Sequence, residues 1–394
     1  GSMLLSVVIG ASTALFFLLN SLFISLKRFV FAKKDLSDNS VPFAIYSEGK
    51  QYFGVFKPIL DEFERREIPV LFLTSDENDP IFNENYRFVT GKFIGKGSKA
   101  YMNLAFLRAD VCLMTTPQLD VLQLKRSKFV KHYSHIFHSI TASMDYRLFS
   151  LDYYDSVLCD AQFQIPLIRE LEKKRNLTPK ELVVVGSTYM DYYSQQLKNT
   201  SLRNPTPPPY KILVAPSWGA DSLLNKFGNN LLQKLAETDY KIIVRPHPQS
   251  MLVEKDLINN LMQKFPQFEW NFDANNLEVL SRADVMISDF SCVMFDYAFL
   301  FKRPFIFVNT EMNMEIYDMG DLDELPWRYR MMYEIGRELK LQNIDMLPQL
   351  IEETKHIDVQ KIEAAKQLAW EKEGESAQNI VDFLINKQKE VSEC

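Results

Sequence analysis

Two apolar runs in the second half of the chain each end in a cluster of polar residues. Lys241–Val244 leads into Arg245-Pro246-His247-Pro248. About forty residues later, Ala283–Ile287 leads into the segment from Ser288 to Tyr297. Short apolar runs of this kind are typical of buried parallel strands. Because open α/β sheets bind ligands beyond the carboxyl ends of their strands, we expect both polar clusters at one ligand site.

From Val41 onward, strand-like and helix-like segments alternate, which predicts a doubly wound α/β fold. Residues 204–209 are rich in proline and can continue neither a helix nor a central strand, so we expect a linker there. The sequence therefore predicts an α/β protein with two Rossmann-like lobes facing each other across a cleft. The predicted strands are Phe43–Tyr46, Pro69–Thr74, Val111–Met114, Leu182–Val185, Lys211–Ala215, Lys241–Val244, Asp284–Ile287 and Pro304–Val308, and the clearest helices are Gln51–Glu67 and Leu223–Leu235.

An uncharged segment precedes the first predicted strand. Residues 4–26 contain no charged side chain, and Lys27, Arg28, Lys33 and Lys34 follow them. At about 1.5 Å per residue, such a helix could cross a hydrocarbon core of about 30 Å. The basic flank would then keep the rest of the chain in the cytoplasm. We therefore predict an apolar membrane-associating helix with its basic flank at residues 3–34. The alternative is an apolar helix docked on the protein or on a second copy, which would make the protein a homo-oligomer.

Charge and cysteine content exclude some classes of partner. The formal net charge is −6, whereas proteins that bind nucleic acids cluster Lys and Arg to neutralise phosphates. We therefore expect no nucleic-acid partner. The four cysteines include no close pair, which argues against a zinc knot or a disulfide framework.

Beyond the apolar segment, we expect a first lobe at residues 41–203, a second at 204–345, and helices at 346–394 that pack back across both lobes.

Four short blocks follow one another in the second half of the chain: Ala215-Pro216-Ser217-Trp218, residues 245–248, residues 288–298 followed by Arg303-Pro304, and Glu373-Gly374-Glu375-Ser376-Ala377. In order and spacing, they resemble the CDP-glycerol glycerophosphotransferase family of teichoic-acid synthases, whose architecture is GT-B-like. The resemblance is strong over roughly residues 180 to 385, thin over the first lobe and absent from the apolar segment. Gly186-Ser187-Thr188 with Asp191 is also similar to the family's Gly-x-Pro…Asp block, although the proline is missing.

The resemblance implies transfer of a phosphoryl group that carries a polyol. An acceptor hydroxyl would attack the polyol-bearing phosphorus of CDP-glycerol or CDP-ribitol, and CMP would leave. Such chemistry depends on positioning and charge stabilisation rather than on protein nucleophiles. The expected acceptor is a lipid-linked molecule or a polysaccharide in teichoic-acid or capsule-type polymer synthesis. We expect no cofactor, although a divalent cation could accompany the diphosphate. The enzyme would lie at the cell membrane as a peripheral or single-pass protein, with its catalytic part in the cytoplasm.

The second lobe is expected to bind the nucleotide. Arg245 would hold the diphosphate with its guanidinium fork, and His247 would donate to a phosphate oxygen or protonate the leaving group. A turn that opens a helix presents free N–H groups to an anion, and Cys292 lies in such a turn where the family usually has serine. Its backbone amide is therefore the expected contact, and Asp296 would accept hydrogen bonds from the ribose. The predicted residues on the CDP-polyol side are Arg245, Ser288, Asp289, Ser291, Cys292, Asp296, Ser217 and Trp218.

Two of these residues have structural alternatives. Asp289 could cap a helix instead of contacting the diphosphate, because capping is a common role of aspartate at such positions. Trp218 could stack on cytosine, close the cleft or belong to the core.

The first lobe is expected to supply the acceptor side. His138-Ser139 resembles a His-Gly turn of the family, and the resemblance makes His138 the general base, a task that an imidazole titrating near neutrality suits. The spacing of His132, His135 and His138 invites a metal site, but no carboxylate or cysteine accompanies it, so we predict no metal. Glu48 and Gly49 could contact the acceptor or the polyol, or could form only a helix-entry turn.

Two other functions remain open. A GT-B nucleotide-sugar glycosyltransferase or epimerase would use the same diphosphate turn, but no Gly-Gly pair follows Asp289. An inactive membrane-tethered scaffold would not need both His138 and the Arg245-Pro246-His247 cluster, and the chain has both.

Overall fold

The described chain is built on two parallel sheets, each flanked by helices. The computed structural model describes residues 40–140, 144–200, 210–273 and 275–393. The strands of the first sheet are β1 (Val41–Ser47), β2 (Val70–Thr74), β3 (Val89–Phe93), β4 (Ala109–Met114), β5 (Val130–Ile136), β6 (Ser156–Cys159) and β7 (Glu181–Val184). Those of the second are β8 (Lys211–Val214), β9 (Lys241–Val244), β10 (Glu269–Trp270), β11 (Val285–Ser288), β12 (Phe305–Phe307) and β13 (Gly336–Glu338). We call the part around each sheet the first and the second lobe.

Both sheets have the strand order of doubly wound folds. The first has the order β3-β2-β1-β4-β5-β6-β7 and the second β10-β9-β8-β11-β12-β13. Winding therefore reverses between β1 and β4 in one sheet and between β8 and β11 in the other. In the first sheet Tyr46 pairs with Met114, and in the second Val214 pairs with Ile287. In each sheet, the loops that follow the two central strands therefore lie side by side at the carboxyl edge. Ligands of doubly wound folds bind at this edge. The predicted α/β fold with parallel sheets is confirmed.

Helices cover the sheets because their apolar residues recur at the helical period. In α1 (Phe53–Arg65), Phe56, Ile59, Leu60 and Phe63 share one face and are fully buried. The other helices are α2 (Ser98–Leu104), α3 (Gln164–Lys174), α4 (Thr188–Lys198), α5 (Leu223–Ala236), α6 (Ser250–Val253), α7 (Lys255–Lys264), α8 (Asn276–Arg282), α9 (Val293–Phe301), α10 (Trp327–Ile335), α11 (Leu347–Thr354), α12 (Val359–Ala369) and α13 (Ser376–Ser392).

The end of the chain returns from the second lobe to the first. Ile362 and Ala365 of α12 are buried in a core cluster made mainly of second-lobe residues. Ile380, Val381 and Leu384 of α13 are buried in the first lobe, against α1 and the central strands. Both lobes are therefore closed by helices from the last part of the sequence.

The predicted elements occur with small shifts of their ends. The strand Lys241–Val244 has its predicted bounds, whereas the helix predicted at Gln51–Glu67 is α1, preceded by a 3-10 turn at Lys50–Tyr52. The sequence did not predict β3, β5, β6, β10 or β13, which are very short or carry polar residues.

The apolar helix predicted at residues 3–34 and the linker predicted at residues 204–209 lie outside the described residues. None of the helices described here is both long and apolar enough to span a bilayer.

A buried ion pair joins the two lobes. Nη2 of Arg175, just after α3, lies 2.8 Å from Oδ1 of Asp318, which begins a 3-10 helix of the second lobe. Asp318 also accepts hydrogen bonds from the backbone N–H groups of Phe149 and Ser150, at 2.8 and 3.2 Å. The two charged side chains are only 9% and 1% exposed. Loss of Arg175 would leave the Asp318 charge buried without its ion pair. Loss of Asp318 would leave two backbone N–H groups without their acceptor, whereas Arg175 would keep Asp152 and Asp321, each at 2.7 Å.

We predict that Asp318→Ala lowers the free energy of unfolding by about 3 kcal/mol, because it removes a buried partner of Arg175 and leaves the N–H groups of Phe149 and Ser150 without their acceptor. Asp323→Ala is the matched control: Asp323 pairs with Lys174 at 2.6 Å, but its side chain is 79% exposed. Its loss should cost less than about 1 kcal/mol. Urea unfolding followed by tryptophan fluorescence measures both effects. Equal, small losses would show that the interlobe pair contributes no more than a surface pair.

Candidate functional site

The two polar clusters predicted from the sequence share one edge of the second sheet. β9 and β11 both pair with β8, and the loop after β8 lies between their carboxyl ends. In this loop, the Trp218 ring centroid is 6.3 Å from that of His247. The neighbouring Ser217 donates its backbone N–H and hydroxyl to Asp289 at 2.9 and 2.8 Å. The loop therefore connects the His247 cluster to the turn that follows β11.

Asp289 is a buried hub of this edge. Besides both Ser217 donors, its carboxylate accepts the N–H groups of Leu223, at 2.8 Å, and Ser291, at 3.2 Å. Burial raises the pKa of Asp289, and these donors lower it. Since Leu223 is the first residue of α5, Asp289 caps that helix and ties it to the turn. The structural role left open by the sequence is therefore present, but at α5 rather than at α9, the helix that follows the turn of Asp289.

Ser288 differs from its predicted role. Its side chain is fully buried, and its hydroxyl donates to the Ala215 carbonyl oxygen at 2.6 Å. The hydroxyl therefore joins β11 to the end of β8 and is not available to a diphosphate.

The turn between β11 and α9 is open to an anion. Ser291, Cys292 and Val293 are partly exposed, and α9 begins at Val293. The N–H of Val293 donates to the Ser291 hydroxyl at 3.4 Å, whereas the N–H of Cys292 has no acceptor in the described chain. Free N–H groups at a helix start favour negative charge.

His247 is held as a hydrogen-bond donor. Its Nδ1 accepts the N–H of Gln249 at 3.2 Å, so the neutral ring carries its proton on Nε2. Burial, with a smaller effect from the nearby Arg245 charge, lowers the pKa of His247 to about 4. At neutral pH the free protein therefore presents an uncharged N–H donor at this position.

Arg245 does not present a free fork. Its Nη1 donates to the Asn271 side chain, and its Nη2 donates to the Asn276 side chain and, at 2.7 Å, to the Asp273 carbonyl oxygen. The residue is 7% exposed. Because a buried guanidinium must be hydrogen-bonded, the loop after β10 takes up most of its donors. Among the described residues, these contacts leave Nε and one Nη1 hydrogen, together with the charge, for the predicted contact with a diphosphate.

Asp296 lies where the lobes meet. Its Oδ2 accepts the hydroxyl of Tyr189, from α4 of the first lobe, at 2.8 Å. Its Oδ1 is buried and has no partner among the described residues. Burial raises the pKa of Asp296 to about 7. An unpaired buried oxygen is costly, so this atom suits a hydroxyl of a bound ligand.

His138 lies two residues beyond β5 in the first lobe. Its Nδ1 is 2.9 Å from the Tyr146 hydroxyl and 3.2 Å from the Thr115 hydroxyl, while the Tyr52 ring packs edge-on at 5.1 Å. Burial lowers the pKa of His138 to about 4, in contrast to the near-neutral titration expected from the sequence. Nε2 has no hydrogen-bond partner in the described chain. The imidazole is thus neutral, oriented and free on one nitrogen at physiological pH.

The other two histidines of this segment, His132 and His135, have contacts that differ from those of His138. His132 and His135 lie on opposite faces of β5 because their positions in the strand differ by three. His132 hydrogen-bonds to Ser156 at 2.9 Å, and His135 is buried against Tyr154 with ring centroids 4.9 Å apart. In the described chain no three His, Cys, Asp or Glu residues form a group suited to a metal ion.

A buried arginine that the sequence did not single out joins the two halves of the site. Arg328, at the start of α10, is 1% exposed and forms an ion pair with Asp145 of the first lobe. It also donates to the Phe290 carbonyl oxygen, and its Nη1 is 2.8 Å from Sγ of Cys292. Ser139, next to His138, lies beside the same thiol. The first-lobe histidine loop and the second-lobe turn therefore meet, and the Cys292 side chain faces inward, as expected if its backbone amide binds the ligand.

Two of the blocks that resemble the family, at residues 186–191 and 373–377, contact each other and lie outside the site. Asp191 accepts hydrogen bonds from the Trp370 indole at 2.9 Å, from the Gly374 N–H at 2.8 Å, and from the N–H and hydroxyl of Ser376. Gly186 has φ 94°, and a Cβ there would lie 2.8 Å from the Glu371 carbonyl oxygen. These contacts fix the passage into α13.

Glu48 and Gly49 follow β1 and line an open cavity of about 350 Å³. Burial raises the pKa of Glu48. Thr116, at the end of β4, lies beside its carboxylate.

Two doubly wound lobes that meet at an open turn give the protein a GT-B-like fold. The wall teichoic acid polymerase TagF superposes with a TM-score of 0.59 at 18% identity, with 96% of this chain and 98% of that chain covered. A putative UDP-N-acetylglucosamine 2-epimerase from Listeria monocytogenes superposes with 0.53 at 11% identity, over 87% and 94%. The UDP-GlcNAc 2-epimerase from Neisseria meningitidis, bound to UDP-GlcNAc, gives 0.50 at 12%, over 88% and 100%.

The family is settled by sequence. The profile of the CDP-glycerol:poly(glycerophosphate) glycerophosphotransferases matches residues 28–386. The chain belongs to this family and is a CDP-glycerol glycerophosphotransferase-like transferase. No curated protein matches the chain significantly in sequence.

We predict that both His138 and His247 stay neutral down to about pH 5 in the free protein, because burial lowers each pKa to about 4. The chain has only five histidines, so ¹H–¹³C NMR can follow each ring through a titration. Spectra of His138→Gln and His247→Gln assign the two signals. Midpoints near the ordinary value of about 6.5 would contradict the burial described here.

Proposed function

We propose that the protein transfers glycerol phosphate or ribitol phosphate from a CDP-polyol to a hydroxyl of a lipid-linked or polysaccharide acceptor, in the synthesis of a teichoic-acid or capsule-type surface polymer. The observation that carries the proposal is the meeting of a neutral, oriented His138 with the open turn at Cys292, beside the N–H donor of His247. Family membership supports CDP-glycerol as the donor, and a histidine-substituted form of TagF has been solved after soaking with CDPG.

The donor side of the reaction is assigned to the second lobe. The diphosphate lies on the free N–H of Cys292 and the hydroxyl of Ser291, and it accepts a hydrogen bond from Nε2 of His247. The remaining donors and the charge of Arg245 stabilise it from the side of β9. The ribose donates to the unpaired Oδ1 of Asp296, and the exposed Trp218 covers the site beside His247.

The acceptor side is assigned to His138. Nε2 takes the proton from the acceptor hydroxyl, and that oxygen attacks the polyol-bearing phosphorus. The new P–O bond forms as the bond to the bridging oxygen breaks, and CMP leaves with the electron pair. Negative charge builds up on the departing phosphate, where the His247 N–H and the amides of the turn stabilise it. CMP leaves as an anion that accepts a hydrogen bond from Nε2 of His247, and the proton taken up by His138 passes to solvent.

The same proposal includes a location at the membrane. An uncharged segment followed by Lys27, Arg28, Lys33 and Lys34 precedes the first strand, a pattern that favours contact with a bilayer from the cytoplasmic side. A peripheral or single-pass enzyme would meet a lipid-linked acceptor there.

A nucleotide-sugar glycosyltransferase or epimerase is the second candidate, because two of the solved neighbours are UDP-N-acetylglucosamine 2-epimerases. Those proteins share the fold at 12% identity or less, whereas the family profile covers most of the chain. The CDP-polyol is therefore the better-supported donor.

We predict that His247→Ala and His138→Ala each reduce CMP release from CDP-glycerol at least about a hundredfold, because each removes a proton-transfer or charge-stabilising group. The assay incubates the protein with CDP-glycerol, CDP-ribitol or UDP-sugars and a membrane extract. His356→Ala is the control, since His356 is exposed and outside the site. UDP release instead of CMP would favour the second candidate, and undiminished CMP release in either variant would remove that histidine from the mechanism.

We predict that the affinity for CDP-glycerol rises roughly tenfold from pH 6 to pH 8. Burial raises the pKa of Asp296 to about 7, so the carboxyl is mostly protonated at pH 6 and ionised, and hence a better acceptor for the ribose, at pH 8. Both phosphates of CDP-glycerol are esterified and do not titrate in this range. Calorimetric titration of the wild type and of Asp296→Asn measures the effect. A pH-independent wild type, or a rise that persists in the variant, would contradict the assignment.

A further inference from the structure

The cavity of about 350 Å³ in the first lobe is not used by the nucleotide side of the reaction. It opens at the carboxyl ends of β1, β2 and β3, whereas His138 follows β5. The residues that matter for its chemistry are Tyr46, Glu48, Ser75, Asp76, Lys96 and Tyr101.

Hydroxyl groups line its wall. The Tyr46 and Ser75 hydroxyls lie 2.8 Å apart in a buried pair. The Tyr101 hydroxyl makes no hydrogen bond with any residue that the structure describes, although its ring is partly buried on α2. A partly buried phenol without a partner is satisfied by water or by a ligand.

The charges in the cavity are unfavourable for an anion. Glu48 and Asp76 contribute two carboxyl groups, against the single ammonium group of Lys96. Lys96 is already 3.1 Å from Glu77, and its side chain is 62% exposed. No excess of positive charge is therefore available for a phosphate. Carboxylates and phenols are instead good partners for the hydroxyl groups of a neutral ligand.

The cavity also adjoins the proposed base. Glu48 lies beside Thr116, and the preceding residue, Thr115, is 3.2 Å from Nδ1 of His138. The ring centroid of Tyr52 is 5.1 Å from that of His138. Burial, and to a smaller extent the nearby Glu48 charge, raises the pKa of Tyr52. The wall of the cavity is therefore linked to His138 through Glu48 and the two threonines that follow β4.

We propose that this cavity binds the uncharged, polyhydroxylated end of the acceptor, a sugar or polyol unit, and directs one of its hydroxyl groups to His138. This inference rests on the proposed function and adds the class of acceptor that the site selects. The phosphate-bearing parts of the acceptor lie outside the cavity, where its carboxylates do not repel them.

The test uses saturation-transfer NMR on the whole chain, with CMP present in excess to occupy the nucleotide site. The probes are glycerol, ribitol and methyl glucoside, each compared with glycerol 3-phosphate. The neutral probes should bind, and Tyr101→Phe should weaken them about five- to tenfold, as expected for the loss of one hydrogen bond. Lys96→Ala should change their affinity less than about twofold. Tyr153→Phe, the same substitution at a tyrosine that is 48% exposed, should have no effect.

Preferential binding of glycerol 3-phosphate that is lost in Lys96→Ala would overturn the inference, and so would neutral-probe binding that is unchanged in Tyr101→Phe. Titration with CDP-glycerol separates this failure from that of the proposed function. If CDP-glycerol binds the wild type and Tyr101→Phe equally but the neutral probes do not bind, only the acceptor inference fails. If CDP-glycerol does not bind at all, the proposed function fails and the acceptor role of the cavity falls with it.

Discussion

The carboxylate of Asp289 is the contact on which the nucleotide side of the structure depends. Four N–H or hydroxyl donors converge on it, from the loop after β8, from the first turn of α5 and from the turn before α9. These are the segments that carry Ser217 and Trp218 on one side and Ser291 and Cys292 on the other. A single buried acceptor thus fixes the shape of a turn in which the N–H of Cys292 has no acceptor among the described residues, and phosphoryl transfer requires preorganised donors of this kind.

The site also depends on the contacts that join the two lobes. Arg328 joins the Phe290 carbonyl of the turn to Asp145 in the first lobe, and Tyr189 reaches Asp296 from the same side. The Arg175–Asp318 pair and the returning helix α13 hold the lobes together away from the site. Since phosphoryl transfer needs donor and acceptor in line, a junction built from buried, hydrogen-bonded charges serves the chemistry as well as stability.

Local patterns predicted much of this arrangement. Apolar runs ending in polar clusters located β9 and β11, and the doubly wound order follows from alternating strands and helices. The turn at Cys292 could be anticipated because a helix start leaves free amides. The contacts of Arg245 and Ser288 could not be predicted, because sequence does not reveal that Asn271 and Asn276 take the guanidinium or that Ser288 is fully buried.

The remaining differences have the same cause. Arg328 and Asp145 are far apart in sequence and have no periodic signal, so their pairing appears only in the folded chain. The lowered pKa of His138 depends on burial by Tyr52 and Tyr146, which approach it through tertiary packing. β5 escaped prediction because its Lys and His residues break the apolar run, although the strand is central and mostly buried.

The central claim is that one CDP-polyol lies between the lobes, on the turn of the second and in reach of His138 in the first. A crystal structure of the protein soaked with CDP-glycerol tests it most directly. We expect the diphosphate within hydrogen-bond distance of the Cys292 N–H and of Nε2 of His247, the ribose on Oδ1 of Asp296, and the polyol-bearing phosphorus facing His138. A nucleotide bound elsewhere, or a diphosphate that contacts neither the turn nor His247, would contradict the account.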